Sequence, residues 1–496
     1  MCTTNTSSSN QNNIFKDLVA HAQAYGFIYP SSEIYDGLQA IYDYGPYGVA
    51  LKRNIQSFWW QSMTQLQQNI VGIDAAIIMH PTTWKASGHL DGFRDPMVDN
   101  KDSQKRYRVD LLIEAHATQL AAQSKAVEAK ELVEAMETCL QAADLLGLDK
   151  LIQAFKITCP VAKTANWTPV RQFNLMFSTQ SGAQNDATTI YLRPETAQGI
   201  FVNFLNVQKT ARMKIPFGIA QIGKAFRNEI VARQFTFRMR EFEQMEMQFF
   251  IQPGTEKEWF NYWQKTRLRW YTVLGIPDQK INIHPHKQLA HYAAAAIDIE
   301  YDFPFGFKEV EGIHSRTDFD LSNHEKYAKK KMQYFDADAQ KHYIPYVIET
   351  SAGLDRLVLM VLSNAFIQEG KVATGGAAEP KNRTLLKLPP PLAPIKAAIF
   401  PLLKKDGMEE KALAIFDLLK YDFPLVYESN QSIGKRYARQ DLIGTPYCIT
   451  VDHQTLEDET VTIRERDSMV QYRMVIYKVA HLLHETTSIK SLLVQL

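Results

Sequence analysis

The stretch 217–250 constrains this chain more than any other. It reads as two β-strands joined by a long loop near 231–236. Side chains alternate across a strand, so residues of one parity share a face. On the first strand Arg227 and Glu229 share a face with Gly223 and Ala225. On the return strand Arg238, Arg240, Phe242, Gln244, Glu246 and Gln248 share one. Met239, Met245, Met247 and Phe249 take the other parity and should pack away from it, although Glu241 and Glu243 interrupt that side. A sheet face carrying arginines, an aromatic ring and carboxylates is costly to bury without a ligand. A solvated face laced with ion pairs is the plainer explanation for any single residue, but it accounts poorly for the whole pattern.

The rest of the chain must supply a frame for that hairpin. At 496 residues it is long enough for two to four domains with substantial cores. The formal net charge of +1 gives no global basic field, so any RNA site must be a local patch. Cys2, Cys139, Cys159 and Cys448 are scattered, with no CxxC pair. Neither a disulfide framework nor a zinc site is therefore expected. No apolar run approaches the roughly 20 residues of a membrane span, so no membrane partner is expected. Residues 1–13 are rich in Ser, Thr and Asn and read as a disordered tail rather than a signal peptide, which makes a cytoplasmic location the default.

Punctuation divides the remainder. The proline-rich run within 387–394 reads as a linker, because proline stiffens the chain and lacks a backbone donor. Beyond it, residues 395–496 alternate between strand and helix patterns. Strands are expected at 395–403, 423–427, 446–451 and 460–464, and helices at 409–420 and 433–442. A last helix carries Val475, Val479, Leu482 and Leu483 as one apolar stripe. This is the pattern of a small mixed α/β domain. Residues 109–151 are Ala-, Leu- and Glu-rich without proline, and they suggest an inserted helical subdomain over 96–168. The flanking parts, 14–95 and 169–386, would then form one domain split by the insertion.

The hairpin resembles motif 2 of the class II aminoacyl-tRNA synthetases: F-R-x-E, a variable loop, then R-x-x-x-F-x-x-x-acid. Here it stands as Phe226-Arg227-Asn228-Glu229, then Arg238, Phe242 and Glu246. Arginine presents a planar fork to phosphate and carboxylate oxygens. The aromatic ring offers a flat surface to adenine, and a carboxylate accepts hydrogen bonds from an amino or ammonium group. Ser351-Ala352-Gly353-Leu354-Asp355-Arg356-Leu357 is similar to motif 3, whose small residues let backbone approach a ligand closely. A helix at 51–63, a strand at 70–79 and Pro81 fit motif 1 loosely. Five further runs resemble the homodimeric glycyl-tRNA synthetases. They are Tyr42-Asp43-Tyr44-Gly45-Pro46, Arg193-Pro194-Glu195-Thr196-Ala197-Gln198-Gly199, Arg316-Thr317-Asp318-Phe319-Asp320, Ser432-Ile433-Gly434-Lys435-Arg436-Tyr437, and the stretch from Thr460 to Asp467.

That resemblance implies an α+β fold: an antiparallel sheet flanked by helices, an inserted helical subdomain and a C-terminal mixed α/β anticodon-binding domain. It implies a homodimer that joins glycine to tRNA(Gly) through a glycyl-adenylate, using ATP and Mg²⁺. Arg227 and Arg356 would be the catalytic pair, Arg227 on the α-phosphate and the glycine carboxylate, Arg356 on the γ-phosphate. Glu229 and Phe242 would take adenine, with Asn228, Phe237, Arg238, Glu309, Val310 and Gly353 around the nucleotide. Glu309 and Glu349 would be Mg²⁺ carboxylates, since hard cations prefer oxygen. Glu195, Glu246 and Ser351 would hold the glycine ammonium, with Phe242, Glu349 and Gly353 beside them. Arg108 would be a further substrate contact, with structural ion pairing as its alternative. Lys435, Arg436, Arg439, Arg464 and Arg466 would meet tRNA phosphates. Two rivals remain: a non-catalytic relative, which should have lost motif residues, and a ligase that loads a carrier other than tRNA, against which the anticodon-like tail argues.

Overall fold

A computed structural model of the chain describes residues 5–182, 187–230, 234–286, 289, 293–372 and 381–496. Its centre is a seven-stranded sheet. In chain order the strands are β1 (Ile70–Gly72), β2 (Phe217–Phe226), β3 (Glu241–Ile251), β4 (Ile281–Pro285), β5 (Ala295–Phe303), β6 (Gly306–Thr317) and β7 (Tyr346–Gly353). Across the sheet the order is β4-β5-β6-β7-β3-β2-β1. Every pairing is antiparallel except β1 with β2.

Alternation along β3 decides what each face does. Met245, Met247 and Phe249 enter the main core, packed with Trp263 and Trp270 of the helix Glu256–Val273 and with the apolar stripe of Leu354–Ala365. Glu246 and Gln248 look the other way, and the same face becomes apolar at Phe250, where Phe201 and Phe204 of the helix Ala197–Thr210 cover it. One face is thus core from Met245 onward, and the other is half core and half site. The two carboxylates that break the apolar parity have partners: Glu243 meets Lys52 at 2.6 Å, and Glu241 pairs with Lys224.

The helix expected at 51–63 is Pro46–Thr64, started early by Pro46 at its first turn. The strand expected over 70–79 ends at Gly72. Pairing continues only through single contacts: Ile73 N–H to Ala220 O, and an isolated bridge from Ile78 to Leu192. The tail read as disordered is helical from Asn5, in Asn5–Ala24, and residues 1–4 lie outside the described part. Leu18 and Ala22 of that helix are buried, and propagating a packed helix through poor formers costs far less than nucleating one. Three helices, Val109–Ala122, Ala126–Gln141 and Leu145–Ala154, follow the composition of the insertion. They stand beside a three-stranded sheet of Arg94–Asn100, Lys105–Arg108 and Arg171–Asn174 that the composition did not suggest.

The C-terminal part is a five-stranded sheet in the order Leu425–Tyr427, Ala397–Pro401, Tyr447–Val451, Thr460–Glu465, Gln471–Val475. Its first three strands are parallel and the last two antiparallel. Val475 ends a strand instead of opening the last helix, which is Ile476–Thr487. The proline run is not an exposed tether: Leu388, Pro391, Leu392 and Ala393 are buried. Lys396 Nζ donates to the carbonyls of Pro391 (2.7 Å) and Ala393 (2.9 Å), and Asn54 Nδ2 to those of Leu392 and Ala393. Among the described residues no helix is long and apolar enough to cross a membrane.

Candidate active site

The β2–β3 connection is longer than the sequence pattern suggests. β2 stops at Phe226 and β3 starts at Glu241, so Arg227, Glu229, Arg238 and Arg240 stand in the connection, not on a strand face. Residues 231–233, inside the expected loop, lie outside the described part. The connection is still held firmly. Arg227 N–H donates to Arg240 O at 2.9 Å, Asn228 N–H to Leu175 O at 2.7 Å, and Arg240 Nε to Glu229 O at 2.9 Å. Arg227 Nε donates to Pro194 O at 3.0 Å, and its guanidinium lies between the rings of Phe242 (5.2 Å) and Phe93 (5.5 Å).

A cleft opens here, lined by Arg227, Glu229, Phe237, Arg238, Phe242, Glu309, Ser351, Gly353 and Arg356. Arg356 forms its far wall. Its Nη1 lies 2.8 Å from Glu309 Oε2, its Nε donates to Phe237 O, and its guanidinium sits 4.5 Å from the Phe237 ring centroid. Arg356 and then, at longer range, Arg227 hold the Glu309 carboxyl below its ordinary value despite burial. Asp355 fixes the turn that aims Arg356. It accepts from Tyr44 Oη (2.5 Å), Lys52 Nζ (3.0 Å) and Glu243 N–H (2.7 Å). Motif 3 is thereby clamped to both the motif 1 helix and β3.

Next to this cleft, cross-strand register builds a buried acidic cluster. Glu246 faces Gln221 on β2 and Ser351 on β7, and Gln248 faces Glu349. Thr196 Oγ1 donates to Glu246 Oε2, and Gln248 Nε2 donates to Glu246 Oε1 (2.9 Å) and to Glu349 Oε2 (2.6 Å). Arg316 Nη1 donates to Glu349 at 3.0 Å while its other nitrogens grip Asp320 at 2.8 and 3.0 Å. Glu195 meets His89 Nε2 at 3.4 Å and accepts from Gln198 Nε2 at 3.0 Å. Burial works against the Glu195 charge, but His89 and Arg316 outweigh it and bring the carboxyl down to about 2. Burial together with the charges of Glu349 and Glu195 pushes Glu246 well above the usual carboxylate range. Glu349 stays ionised against burial, because Arg316 and His314 hold its charge. Gly223 is glycine for a reason of space: a Cβ there would lie 2.1 Å from the Arg193 guanidinium, which donates to Lys224 O and Ala75 O and fixes the Pro194–Glu195 turn.

Several expected site residues have other partners in this geometry. Glu349, expected at Mg²⁺, is engaged by protein instead: Oε1 meets His314, and Oε2 accepts from Arg316 and Gln248. Val310 is wholly buried in the main core, so its side chain does not reach the nucleotide cleft. Arg108 is paired with Asp110 (2.5 Å) and Asp95 (3.4 Å), the ion-pairing alternative, although Glu229 is within range of its charge. Three of the five residues expected at tRNA are internal. Arg436 is buried and donates to the carbonyls of Pro401 and Glu428. Arg464 forms a two-pronged pair with Asp441, and Arg466 donates to Gly444 O and Leu388 O. Lys435 and Arg439 are exposed.

Comparison with known proteins follows this layout. Residues 177–365 match the family described as tRNA synthetase class II core domain (G, H, P, S and T), and residues 396–486 the anticodon binding domain family. Residues 95–131 and 122–175 match glycyl-tRNA synthetase insertion domain 1. A glycine–tRNA ligase of Chlorobaculum tepidum is 53% identical over 94% of this chain and 98% of its own length. The chain belongs to the glycine–tRNA ligase family. Glycine–tRNA ligases of Staphylococcus epidermidis and Staphylococcus aureus are each 48% identical, over 94% and 95% of this chain and 98% of their own. Two solved structures share the fold at 15% identity. A Giardia lamblia prolyl-tRNA synthetase has a TM-score of 0.59, covering 95% of this chain and 76% of that one. A Cryptosporidium parvum threonyl-tRNA synthetase structure has 0.61, covering 95% and 98%.

Within this glycine–tRNA ligase family member, sequence reasoning passed over His89, Gln248, His314 and Arg316 as site residues. His314 follows Gly312 at the β-strand period, a signal that could have placed it on the face carrying Glu349. His89 had no such signal, because its link to Glu195 spans 106 positions and arises only from tertiary packing.

Proposed function

We infer that this cleft and pocket carry out the two-step attachment of glycine to tRNA(Gly). In the first step a glycine carboxylate oxygen attacks the α-phosphorus of ATP. The bond to the bridging oxygen breaks, and pyrophosphate leaves with that electron pair. In the second, a hydroxyl of the terminal tRNA ribose attacks the glycyl carbonyl, and AMP leaves. The observation that carries this reading is adjacency: a cleft walled by Arg227 and Arg356 also holds Ser351, which faces Glu246 of the acidic cluster across the sheet.

Roles follow from charge and reach. Arg227, packed against the Phe242 ring, is set to meet the α-phosphate and the glycine carboxylate, and adenine would lie on Phe242 near Glu229. Arg356 meets the γ-phosphate. Positioning and charge neutralisation, not a covalent nucleophile, are what such a transfer requires of the protein. Glu309 is a carboxylate at the cleft and suits an oxygen-preferring cation. Mg²⁺ held there would offset triphosphate charge. Glu195 and Glu246 receive the ammonium.

Lys435 and Arg439 remain for tRNA phosphates. The helix Pro46–Thr64, β1 and Pro81 fit the dimer-forming element of class II enzymes, which supports a homodimer, to be weighed by light scattering. The cytoplasm, where tRNA is charged for translation, is the working location. The deciding experiment is glycine-dependent ATP–pyrophosphate exchange beside charging of tRNA(Gly). Exchange without charging would favour a ligase for another carrier, and neither activity would favour a non-catalytic relative.

A further inference from the structure

The site face of the sheet does not end at the amino-acid pocket. One row crosses it from Gln248 to Glu349, His314 and Ala296, set by the register of β3, β7, β6 and β5. The row reaches His286, just past β4 on the sheet edge, whose N–H donates to Ala296 O at 3.0 Å. Asp298, two residues beyond Ala296 on β5, shares the face. One donor atom from each of His286, Asp298 and His314 lies within 4.8 Å of the other two. The His286 and His314 ring centroids are 5.9 Å apart, and His286 Nε2 is 2.9 Å from Asp298 Oδ2. All three residues are partly buried; His314 also holds Glu349, whereas His286 and Asp298 take no part in the aminoacylation reading.

We propose that His286, Asp298 and His314 form a binding site for a divalent transition-metal ion of the zinc type. Two imidazoles and one carboxylate make a donor set that suits such ions, whereas Mg²⁺ takes oxygen and keeps much of its water. Asp298 and His314 come from adjacent strands of one sheet and His286 from the residue just past β4, so the three donors already stand close together. The outer contact is also in place. Glu349 Oε1 lies 2.9 Å from His314 Nδ1, the carboxylate–histidine arrangement that orients an imidazole to ligate through Nε2. Three protein ligands leave a fourth, tetrahedral position to water. The ion would fix the His314 ring, and with it Glu349 and, through Gln248, Glu246. Cysteine spacing gives no hint of such a site, because no cysteine takes part.

The test uses full-length protein freed of metal by a chelator and then titrated with Zn²⁺ against a chromophoric competitor. The expected result is one tight equivalent per chain, not displaced by excess Mg²⁺. His286→Ala and Asp298→Asn should each weaken it at least tenfold, with metal-free melting temperatures near that of the parent. Absence of stoichiometric Zn²⁺ binding, or equal binding by both variants, overturns the site. Loading should also change the glycine KM in pyrophosphate exchange with little change in kcat. An unchanged KM would overturn the coupling to Glu349, whatever the fate of the aminoacylation reading.

Discussion

Glu246 and Glu349 stand on adjacent strands with the Gln248 amide between them, donating at 2.9 Å to one and 2.6 Å to the other. The pair shares one face yet not one protonation state. Arg316 and His314 keep Glu349 charged, whereas burial and its acidic neighbours favour the neutral form of Glu246. An incoming ammonium favours the ionised form, so glycine binding should favour release of a proton from Glu246.

Glycine KM should therefore fall as pH rises toward the elevated Glu246 value. Glu246→Gln should raise it at least tenfold, about 1.4 kcal/mol, and flatten that dependence while leaving the ATP KM much less affected. A variant that keeps the parent pH profile of glycine KM sinks this assignment.

Glu195 carries the opposite sign. Its folded value of about 2 lies below the unfolded value, so its contribution to stability is complete above the unfolded value near 4.5 and fades as pH falls toward 2. Urea unfolding at pH 5 and at pH 3 should show a drop in stability that is smaller in Glu195→Gln and in His89→Ala. Equal drops in all three proteins would remove the His89–Glu195 pair from the account.

Arg356→Ala should reduce pyrophosphate exchange by on the order of a hundredfold or more, as loss of a preorganised charge partner does. Its side chain is about a quarter exposed and faces the cleft, so the melting temperature should change little. Asp355→Ala should do the reverse in proportion, since it strips Tyr44, Lys52 and the Glu243 N–H of a shared acceptor. A large stability loss in Arg356→Ala with activity per folded molecule intact would falsify the nucleotide role.

The basic residues of the tail should separate into two groups. Arg464→Ala removes one of the two arginines on buried Asp441 and should lower stability, by less than the roughly 3–5 kcal/mol of stranding a buried charge, because Arg383 stays. Lys435→Ala with Arg439→Ala should leave stability alone while weakening tRNA binding and flattening its salt dependence. Equal salt slopes in parent and double variant would take Lys435 and Arg439 off the RNA surface.

What the sequence disclosed and what it hid divide along physical lines. The alternation from Phe242 to Gln248 was legible because strand geometry is local, and it led to the face that carries Glu246. The termini of β2 and β3 were not, since the Arg227–Arg240 backbone bond closes a connection whose length no local rule sets. Lys435 and Arg436 looked alike in sequence. Only the fold turns Arg436 onto the carbonyls of Pro401 and Glu428 and leaves Lys435 in water. Arg464 read as a surface cation because Asp441 lies 23 positions away, and Arg383, which shares that aspartate, lies 58 away. Glu349 looked like a metal ligand for the same reason: its partners sit on other strands.

The buried proline run also bears on how the tail is held. Lys396 ties that run to itself, Asn54 ties it to the motif 1 helix, and Arg466 reaches Leu388 from the C-terminal sheet. His21 Nε2 adds a bond of 2.8 Å to Leu442 O. Tied from both sides, the joint holds cleft and tail at one separation rather than letting the tail swing on a tether.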